Sequence, residues 1–587
     1  MEPLVFTPSL NLSLVPHWQL WSQLRDQVGG RLYESVPFAQ PCYDEFNSSA
    51  CVGVRHSYLD EVSRTNTPTA FVQSQWETCQ ATQEHCLLDW SNPDNDAPTH
   101  AAECKSGSLP SYYINVQTAD DVKAAFDFSR KTKVPLSIRN TGHDYKGRSS
   151  APGSLGLWMH NLQEISYTPS FAPRGCSAGR VTPSPAVTMG AGVRWDEAHT
   201  FADKHNITLV GGSDKSVGAV GGWLQGGGHG ALSNTMGMGA DRVLEFEVVT
   251  PDGEVRVANE CQHADLFWAL RGGGGGTFGV VLYATVLASP PVTLQTLIFS
   301  WGSAHAHVDE NLNRTREAWA LFADASVALA EEGWGGYATK DVIVLVNPED
   351  PSTFEKGDSE PEGDEEVMMW KGSAIAPLIK WGHSLRTKDR GVVLIQKVFP
   401  TWLSFFNVFT SKFVASVGKN LALSSRLVPA TSLSTPSLRE GIVGALMHAN
   451  TVTTSPGVII LMTTPYSFPD EEKRTSVNRM WRESVWHVTN VEAWAWNATA
   501  EEVRGSYRRA KESLGKLKDL TGGTDGGGAY VNEADVYEEG WERAFWGDNY
   551  GRLLEVKRKY DPDHLLDCWH CVGFEREDER FGCYLDV

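Results

Sequence analysis

Three glycine-rich segments contain the residue patterns that most clearly indicate chemistry. They are Arg139–Ser149 (RNTGHDYKGRS), Val210–Ser233 (VGGSDKSVGAVGGWLQGGGHGALS) and Leu266–Val281 (LFWALRGGGGGTFGVV). Glycine has no Cβ, so the chain can come close to a ligand, and successive backbone N–H groups can cradle a pyrophosphate. Flexible linkers pair Gly with Ser, whereas these runs stand between Val, Leu, Trp and Phe. The pattern therefore favours ligand contact over a linker.

Two common nucleotide sites do not fit these segments. No G-x-x-x-x-G-K-[ST] occurs, so the phosphate loop of nucleoside triphosphatases is excluded by pattern. The GGGHG run does not form G-x-G-x-x-G between a strand and a helix with an acidic residue after it, so a Rossmann site is disfavoured. Motif reasoning alone thus predicts a cofactor that contains a pyrophosphate.

Alternating strands and helices are predicted around the first and third segments. Residues 112–116 predict a strand, Ala119–Lys131 a helix and 135–140 a second strand. VLEFEVVT and EVRVA, joined by P-D-G, predict a hairpin. Farther on, GVIILMTT predicts a strand, NRMWRESVWHV a tryptophan-bearing helix and the acidic residues 347–366 a solvated loop. YGRLLEVKRKY predicts a helix that stops at Asp561-Pro562.

Size and charge limit the kinds of partner. A chain of 587 residues is expected to form two or more domains, and its 41% apolar and 21% charged content is typical of globular proteins. No apolar run approaches the roughly 20 residues of a membrane span. The net charge of −21 repels phosphate backbones and anionic lipid, so neither nucleic acid nor a membrane is an expected partner. Small neutral or cationic substrates remain open, and no oligomeric state is indicated.

Cysteines and glycosylation sequons favour an oxidising compartment. Five of the ten cysteines lie between Cys42 and Cys104, outside metal-binding spacing, and residues 1–106 predict a loop-heavy, cystine-rich extension. Five N-x-S/T sequons begin at Asn11, Asn47, Asn206, Asn313 and Asn497. The start MEPLVFTPSL shows neither the charged nor the apolar region of a signal peptide. Either a leader was replaced by a start methionine or the chain is intracellular, and the secreted alternative is favoured.

The three segments together resemble the p-cresol methylhydroxylase-type FAD-binding domain of the vanillyl-alcohol oxidase superfamily. The matching motifs are R-N-T-G-H-D-Y-x-G-R, G-G-x-x-x-G-G-G-H-G and A-L-R-G-G-G-G-G-x-F-G. The tail AYVNEADVYEEGWERAFWGDNYGRLLEVKRKYDPDHLL resembles the berberine bridge enzyme-like branch, which includes fungal oligosaccharide and alcohol oxidases. The resemblance is close over residues 107–292 and 526–587. The region between them resembles the family only in its length and in its position along the chain.

The resemblance implies an α+β fold in which a two-part FAD-binding domain is covered by a separate domain of antiparallel sheet and helices. It predicts an FAD domain at 107–292, a substrate domain at 293–525 and a C-terminal segment at 526–587 that returns to the FAD domain. His143 falls on the family's flavin-linking histidine, and imidazole is a competent nucleophile near neutral pH. The predicted cofactor-binding residues are His143, Arg139, Asn140, Thr141, Gly142, Asp144, Gly147, Ser213, Gly218, Gly221, Gly222, Gly227, Gly228, His229, Gly279, Val280 and Asn532.

The chain departs from the bicovalent members of the family. Those members carry a cysteine in the second glycine segment that binds flavin C6, whereas residues 213–216 here read S-D-K-S. No cysteine occurs from Ser177 to Glu260. The prediction is therefore FAD attached through His143 alone.

The C-terminal signature supplies the predicted catalytic residues. Related plant oxidocyclases read Y-x-N-Y-R-D, and their second tyrosine is a base near the flavin. Here Tyr530 and Asn532 match, but Glu533 replaces the second tyrosine. A free glutamate titrates near about 4.3 and a phenol near about 10, so Glu533 is ionised unless burial raises its pKa. We predict Glu533 as the base with Tyr530 beside it; the alternative is a structural carboxylate paired with an arginine.

Two further patterns have simpler alternatives. Cys568 and Cys571 form a C-x-x-C, but a second pair of zinc ligands is lacking, so no metal site is predicted and a structural disulfide is expected. His229 could be catalytic, although packing or hydrogen bonding is commoner in such a loop. Four tryptophans of the middle region could line a substrate pocket or lie in a core. These are Trp481, Trp486, Trp494 and Trp496.

The function these patterns predict is that of a flavoprotein oxidase. Hydride passes from an alcohol, carbohydrate or secondary metabolite to FAD, and O2 reoxidises the flavin to give H2O2. A dehydrogenase of the same fold that reacts poorly with O2 is one alternative. A secreted protein that binds flavin without catalysis is the other.

Overall fold

The structure is a computed structural model that describes residues 17–177, 179–302, 308–349, 374–410, 416–453, 456–469 and 474–587. Most of the acidic loop predicted at 347–366, and the sequon at Asn11, lie outside these residues. In the described part of the chain, no helix is both long and apolar enough to cross a membrane.

The first sheet has four strands in the order β1-β2-β4-β3, with β1 antiparallel to β2 and the other pairs parallel. The helix Ala119–Thr132 connects β2 to β3, and its Asp121 carboxylate accepts the N–H of Thr118 at 3.0 Å to cap the first turn. Val122 and Phe126 on its apolar face are fully buried. The predicted strand–helix–strand unit is confirmed. The strands are β1 Leu32–Glu34, β2 Tyr112–Asn115, β3 Leu136–Arg139 and β4 Leu155–Trp158.

The second sheet has five antiparallel strands in the order β5-β6-β9-β7-β8. The predicted hairpin is its β7–β8 pair. The third glycine segment connects the helix Ala264–Leu270 to β9. The strands are β5 Ile165–Phe171, β6 Ser184–Gly190, β7 Val243–Val249, β8 Val255–Ala258 and β9 Val280–Leu287.

The third sheet has seven antiparallel strands in the order β13-β10-β12-β11-β15-β16-β14. One face packs against helices, with Trp319, Leu446 and Trp486 in a shared core. The other face is turned towards the second glycine segment. The strands are β10 Thr293–Ser300, β11 Gly335–Ala338, β12 Val342–Glu349, β13 Val393–Phe399, β14 Asn420–Pro429, β15 Pro456–Met462 and β16 Ser484–Trp494.

The helix predicted for NRMWRESVWHV is wrong, whereas the strand predicted for GVIILMTT is confirmed as β15. Only Met480–Glu483 is helical, and β16 begins at Ser484. β16 lies between β14 and β15, and nearly all of its side chains are buried. Such a strand shows no polar–apolar alternation, so its apolar and aromatic residues resemble those of a buried helix in sequence.

The N-terminal segment is more ordered than predicted. It contains five helices as well as β1, which pairs with β2. These helices are only five to eleven residues long, too short to show a sustained periodic pattern. The segment also shares a sheet with the residues that follow it, so the boundary predicted at residue 106 crosses that sheet; the domain limits stay predictions. These helices are His17–Gln27, Gln40–Asp44, Ser49–Ser57, Glu61–Thr65 and Ala97–Ala101.

The remaining helices lie around the three sheets. The predicted helix YGRLLEVKRKY is confirmed at Tyr550–Tyr560, and it ends before Asp561. Lys557 on this helix donates to the carbonyl of Thr277 at 3.1 Å, which joins the C-terminal segment to the third glycine segment. The others are Trp195–Lys204, Ser233–Met236, Val308–Glu331, Ala376–Lys388, Trp402–Thr410, Pro436–Val452, Ala500–Ser513, Gly515–Leu520, Gly523–Gly526 and Trp541–Trp546.

All ten cysteines form disulfides, as the clustering predicted. The C-x-x-C pair is one of them, which agrees with its structural interpretation. Cys79 binds Cys583 across 504 residues and so joins the two ends of the chain. The pairs are Cys42–Cys51, Cys79–Cys583, Cys86–Cys104, Cys176–Cys261 and Cys568–Cys571.

We expect the Cys79→Ser/Cys583→Ser double variant to be less stable by about 2–5 kcal/mol, because the long loop gains conformational entropy when unfolded. Denaturant unfolding would measure the loss. The matched control is Cys42→Ser/Cys51→Ser, whose cysteines are nine residues apart and whose loss should be smaller. Equal losses from both variants would contradict the loop-entropy argument.

Candidate cofactor cleft and active site

The three glycine segments meet around one cleft. It has about 1550 Å³ of empty space, including its open mouth. A Cβ at Gly275 would lie 2.9 Å from the Cα of Gly222, and a Cβ at Gly221 would lie 2.6 Å from Nδ2 of Asn140. Side chains at these positions would therefore force the segments apart. The predicted residues that line the cleft are Asn140, Thr141, Gly142, His143, Asp144, Ser213, Gly218, Gly221, Gly222, His229, Gly279, Val280, Tyr530, Asn532 and Glu533.

Arg139 does not line the cleft, although it was predicted to bind the cofactor. Its buried guanidinium donates to the backbone carbonyls of Pro68 and Ala70 and lies over the ring of Phe71. It therefore holds the N-terminal segment against the first glycine segment. This contact spans some seventy residues of sequence, so no local pattern could predict it.

Three predicted glycines also lie behind the cleft wall rather than on it. Gly147, Gly227 and Gly228 have positive φ of 75°, 121° and 70°. A Cβ at Gly147 would lie 2.4 Å from the Trp76 ring, and one at Gly228 would lie 2.5 Å from the Trp223 ring. These glycines are required by turn geometry and close packing.

Asp144 shapes the turn that follows His143. One of its carboxylate oxygens accepts the backbone N–H and the hydroxyl of Ser149, both at 2.7 Å, and the other accepts the N–H of Lys146 at 3.0 Å. Its own N–H donates to Gln73 at 2.9 Å. The aspartate thereby fixes the loop that carries the histidine.

His143 lines the cleft with one ring nitrogen already engaged. Its Nε2 lies 2.6 Å from Oγ of Ser216, and that hydroxyl lies 3.0 Å from Asp214 and 3.2 Å from Glu61. Burial lowers the pKa of His143, and this effect exceeds the opposite effect of Asp214 and Glu61. Because the Ser216 hydroxyl donates to a carboxylate, it accepts the N–H of Nε2. In this neutral imidazole, Nδ1 therefore carries the lone pair and is the nucleophilic nitrogen.

Arg148 supplies a buried cation at the cleft wall. It donates through Nη2 to Oδ1 of Asn532 at 2.7 Å, while its buried Nε and Nη1 have no hydrogen-bond partner in the described residues. Unsatisfied guanidinium donors are costly to bury and indicate a missing acceptor. Glycine backbone together with these donors suits an anionic dinucleotide such as FAD, so the residues present fit that cofactor.

Glu533 lies in a cluster with two histidines. Its Oε2 is 3.0 Å from Nε2 of His487 and 3.3 Å from Nε2 of His229. A carboxylate can only accept, so both imidazoles donate. The other ring nitrogen of His229, Nδ1, lies 3.0 Å from the hydroxyl of Thr463. Among the described residues, no arginine contacts Glu533, and two histidines stand in the place that the structural alternative gave to an arginine.

The charge state of this cluster follows from its contacts. Burial alone would raise the pKa of Glu533, but the charge and hydrogen bonds of His229 and His487 hold it well below its usual range. Burial raises the pKa of Tyr530 well above that of a free phenol. Tyr530 therefore stays protonated, and its hydroxyl accepts from Asn532 at 2.8 Å. Glu533 is ionised and lines the cleft with 26% of its side chain exposed.

The same three side chains could also hold a metal ion. Their ligand atoms in His229, His487 and Glu533 all lie within 4.8 Å of one another. The sequence predicted no metal site, and the hydrogen bonds already described account for the geometry without one. Activity that persists after exhaustive chelation would support the hydrogen-bonded interpretation.

The four tryptophans do not line the cleft. Trp481 packs on His229 and Tyr530, with ring centroids 5.5 and 5.3 Å apart, behind the Glu533 cluster. Trp486 and Trp494 belong to hydrophobic cores. The core alternative is therefore confirmed for Trp486 and Trp494, and also for Trp481, which is a buried member of another core cluster.

Some cleft residues were missed. Tyr145 and Arg148 stand inside the first segment, beside predicted residues, so their positions carried a usable signal. His487 lies beside Glu533 because of the register in which β16 pairs with β15. Leu461 lies at the cleft because of its position on β15. No local motif marks either strand position.

Asp535, two residues beyond Glu533, gives a test by pH. Burial, and then the charge of Glu538, raise its pKa from 3.8 to about 6. The contribution of this group to the free energy of unfolding is therefore fully present below pH 3.8, and it is lost as the pH rises through about 6. We expect Asp535→Asn to remove this loss, so that its stability relative to the parent rises by on the order of 2 kcal/mol between pH 4.5 and 8. Denaturant unfolding at both pH values measures this, with exposed Asp519→Asn as control; an unchanged difference would contradict it.

Comparison with known proteins agrees with this site. Residues 110–259 match the family described as FAD binding domain, and residues 529–568 match the family described as berberine and berberine like. The first range contains the first two glycine segments, and the second contains Tyr530, Asn532 and Glu533. Both matched ranges therefore contribute residues to the wall of the cleft.

Whole-chain relatives extend the match. The FAD-linked oxidoreductase cheF of Chaetomium globosum is 37% identical over 96% of this chain and 88% of its own. The VAO-type flavoprotein oxidase VAO615 of Thermothelomyces thermophilus is 30% identical over 94% and 90%. The crystal structure of the VAO-type flavoprotein MtVAO615 from Myceliophthora thermophila C1 superposes with a TM-score of 0.79 at 28% identity, covering 96% of both chains. The chain therefore belongs to the VAO-type FAD-linked oxidoreductases, in their berberine bridge enzyme-like branch.

Proposed function

We propose that this chain is an oxidase that removes hydride from an alcohol, or a related CH–OH donor, of a small-molecule substrate. When bound, FAD supplies the hydride acceptor and passes the electrons to O2, which yields H2O2. The observation that supports a catalytic protein is the Glu533 cluster, an ionised carboxylate that faces the cleft and accepts hydrogen bonds from two imidazoles. A relative named as a flavoprotein oxidase supports the choice of oxidase.

We propose that Glu533 binds the substrate hydroxyl and that its cluster accepts the proton. Its second oxygen, Oε1, has no hydrogen-bond partner among the described residues and is available to a hydroxyl. The two imidazoles keep the carboxylate ionised but also make it a weak base. The proton passes from the substrate hydroxyl to Oε1 of Glu533, while Oε2 keeps the hydrogen bonds from His229 and His487. Tyr530 holds Asn532 and the second glycine segment in place.

We propose covalent attachment of FAD through His143 alone. Support comes from the neutral, buried imidazole whose Nε2 is held by Ser216. The carboxylates of Asp214 and Glu61 lie beyond that hydroxyl and can accept, through it, the Nε2 proton that the imidazole loses. Ser213 and Asp214 line the cleft from the stretch in which bicovalent members of the family carry their cysteine, and neither offers a thiol.

A substrate screen that detects peroxide tests the oxidase. Sugars, benzylic alcohols and polyketide-like phenols are offered to the holoenzyme in air, and H2O2 is measured. Peroxide formation with one of them is expected. Flavin reduction without peroxide would favour the dehydrogenase, and the lack of any flavin reduction would favour the non-catalytic flavin-binding protein.

We also propose that the chain is secreted and glycosylated. All five disulfides would persist in an oxidising compartment. The four sequon asparagines within the described residues are all exposed. Loss of apparent mass on treatment of the native-host protein with an N-glycosidase is the expected result. The four asparagines are Asn47, Asn206, Asn313 and Asn497.

A further inference from the structure

The seven-stranded sheet turns one face to the cleft. Successive side chains of a strand point to opposite faces. On β16, Trp486 packs in the helix-side core, whereas His487 contacts Glu533. On β15, Ile460 lies in that helix-side core, whereas Leu461 lines the cleft. Leu461 is paired with His487 in register, which fixes the cleft face across both strands.

The cleft face of these strands is mainly apolar. Continuing the alternation, Ile459 is opposite Thr489, Leu423 is opposite Val491, and Leu421 is opposite Ala493. Tyr145, which lines the cleft from the first glycine segment, packs directly against this group. The apolar cleft-face residues are Leu421, Leu423, Ile459, Leu461, Val491 and Ala493.

Few polar groups stand on this face. From 421 to 427 on β14, 457 to 461 on β15 and 487 to 493 on β16, the cleft-face positions hold no Asp, Glu, Lys or Arg. Their polar side chains are Ser425, His487 and Thr489, and His487 already donates to Glu533. An oligosaccharide has many hydroxyls, and each one buried without a partner costs free energy. This face offers too few partners for a row of sugar rings.

We propose that the substrate is a predominantly apolar alcohol whose single reacting hydroxyl binds Glu533. Its hydrocarbon body packs on Ile459, Leu461 and Tyr145, which are half-buried and therefore still have surface to cover. The inference rests on the proposed function, because Glu533 must hold the reacting hydroxyl. It goes further by selecting apolar alcohols over carbohydrates.

Anaerobic titration of the oxidised holoenzyme tests binding separately from peroxide formation. Cinnamyl alcohol and 1-decanol are titrated anaerobically against the flavin absorption spectrum, and maltotriose and chitotriose are titrated in parallel. We expect a saturable spectral change with at least one alcohol and none with the sugars. Tighter binding of either sugar, or no response to either alcohol up to its solubility limit, would overturn the proposal.

Variants locate the binding. Leu461→Asn should weaken binding of the alcohol on the order of tenfold, because the hydrocarbon body of the alcohol loses an apolar contact surface. The conservative Leu461→Met should retain the parent affinity. Ile395→Asn is the control, since Ile395 lies on β13 of the same sheet and is 43% exposed. An affinity in Leu461→Asn within twofold of the parent, with full flavin content, would overturn the assignment. Alcohol binding without flavin reduction would contradict the oxidase but support the apolar site.

Discussion

Glu533→Gln should slow anaerobic flavin reduction on the order of 10²–10⁴-fold while the flavin stays bound. The amide keeps the size of the side chain and can still accept from His229 and His487. The amide cannot take up the substrate proton. It can also turn an N–H towards the substrate hydroxyl, where the carboxylate offers an acceptor oxygen. Rapid-mixing spectroscopy with a substrate found by the screen measures the rate. The loss should appear in the reduction rate more than in substrate affinity.

The control for this variant is Glu512→Gln, an exposed glutamate on the helix Ala500–Ser513, which should reduce at the parent rate. A Glu533→Gln rate within about threefold of the parent, with flavin still bound, would leave the carboxylate no acid–base role. The cluster also predicts that His487→Gln slows reduction less than Glu533→Gln. The amide of this glutamine can still donate to the carboxylate from a position close to that of Nε2.

His143→Ala should lose all acid-stable flavin. In the parent, the colour should stay with the protein after acid precipitation, because the bond to the imidazole survives unfolding. In the variant the alanine offers no nucleophile, and Ser213 is not a thiol, so the flavin should pass entirely into the supernatant. Absorbance of pellet and supernatant measures the division. Peptide mapping should find no flavin on any cysteine, since all ten are in disulfides.

His56→Ala is the matched control, because His56 is exposed on the short helix Ser49–Ser57. It should retain as much acid-stable flavin as the parent. Flavin that remains in the acid pellet of His143→Ala would show that another residue forms the bond. Ser216→Ala should lie between the two, with slower attachment, because it removes the partner that holds Nε2.

The parts of the cleft that are formed by short continuous stretches of sequence could be predicted. The glycine segments needed particular backbone shapes at fixed spacings, so His143 and its neighbours in the loop were identifiable. The C-terminal signature also placed Tyr530 and Asn532 correctly beside the cleft. In these stretches, the backbone geometry that requires the motif is set by the motif's own residues.

The rest depended on contacts that are distant in sequence. His487 reaches Glu533 only because β16 pairs with β15, and its segment has the composition of a buried helix. Arg139 stands within a cofactor motif yet binds carbonyls of the N-terminal segment. The partner of Cys79 is 504 residues away. Register and long-range packing are set by the whole fold, so a local pattern does not contain them.

The most direct test of the oxidase is a double-mixing experiment on the purified holoenzyme. The flavin is first reduced anaerobically by substrate, and the reduced enzyme is then mixed with oxygenated buffer while absorbance and H2O2 are recorded. Complete bleaching, rapid return of the oxidised spectrum and one H2O2 per flavin are expected. Bleaching followed by slow reoxidation without peroxide would contradict the proposed oxidase, as would a flavin that no substrate reduces.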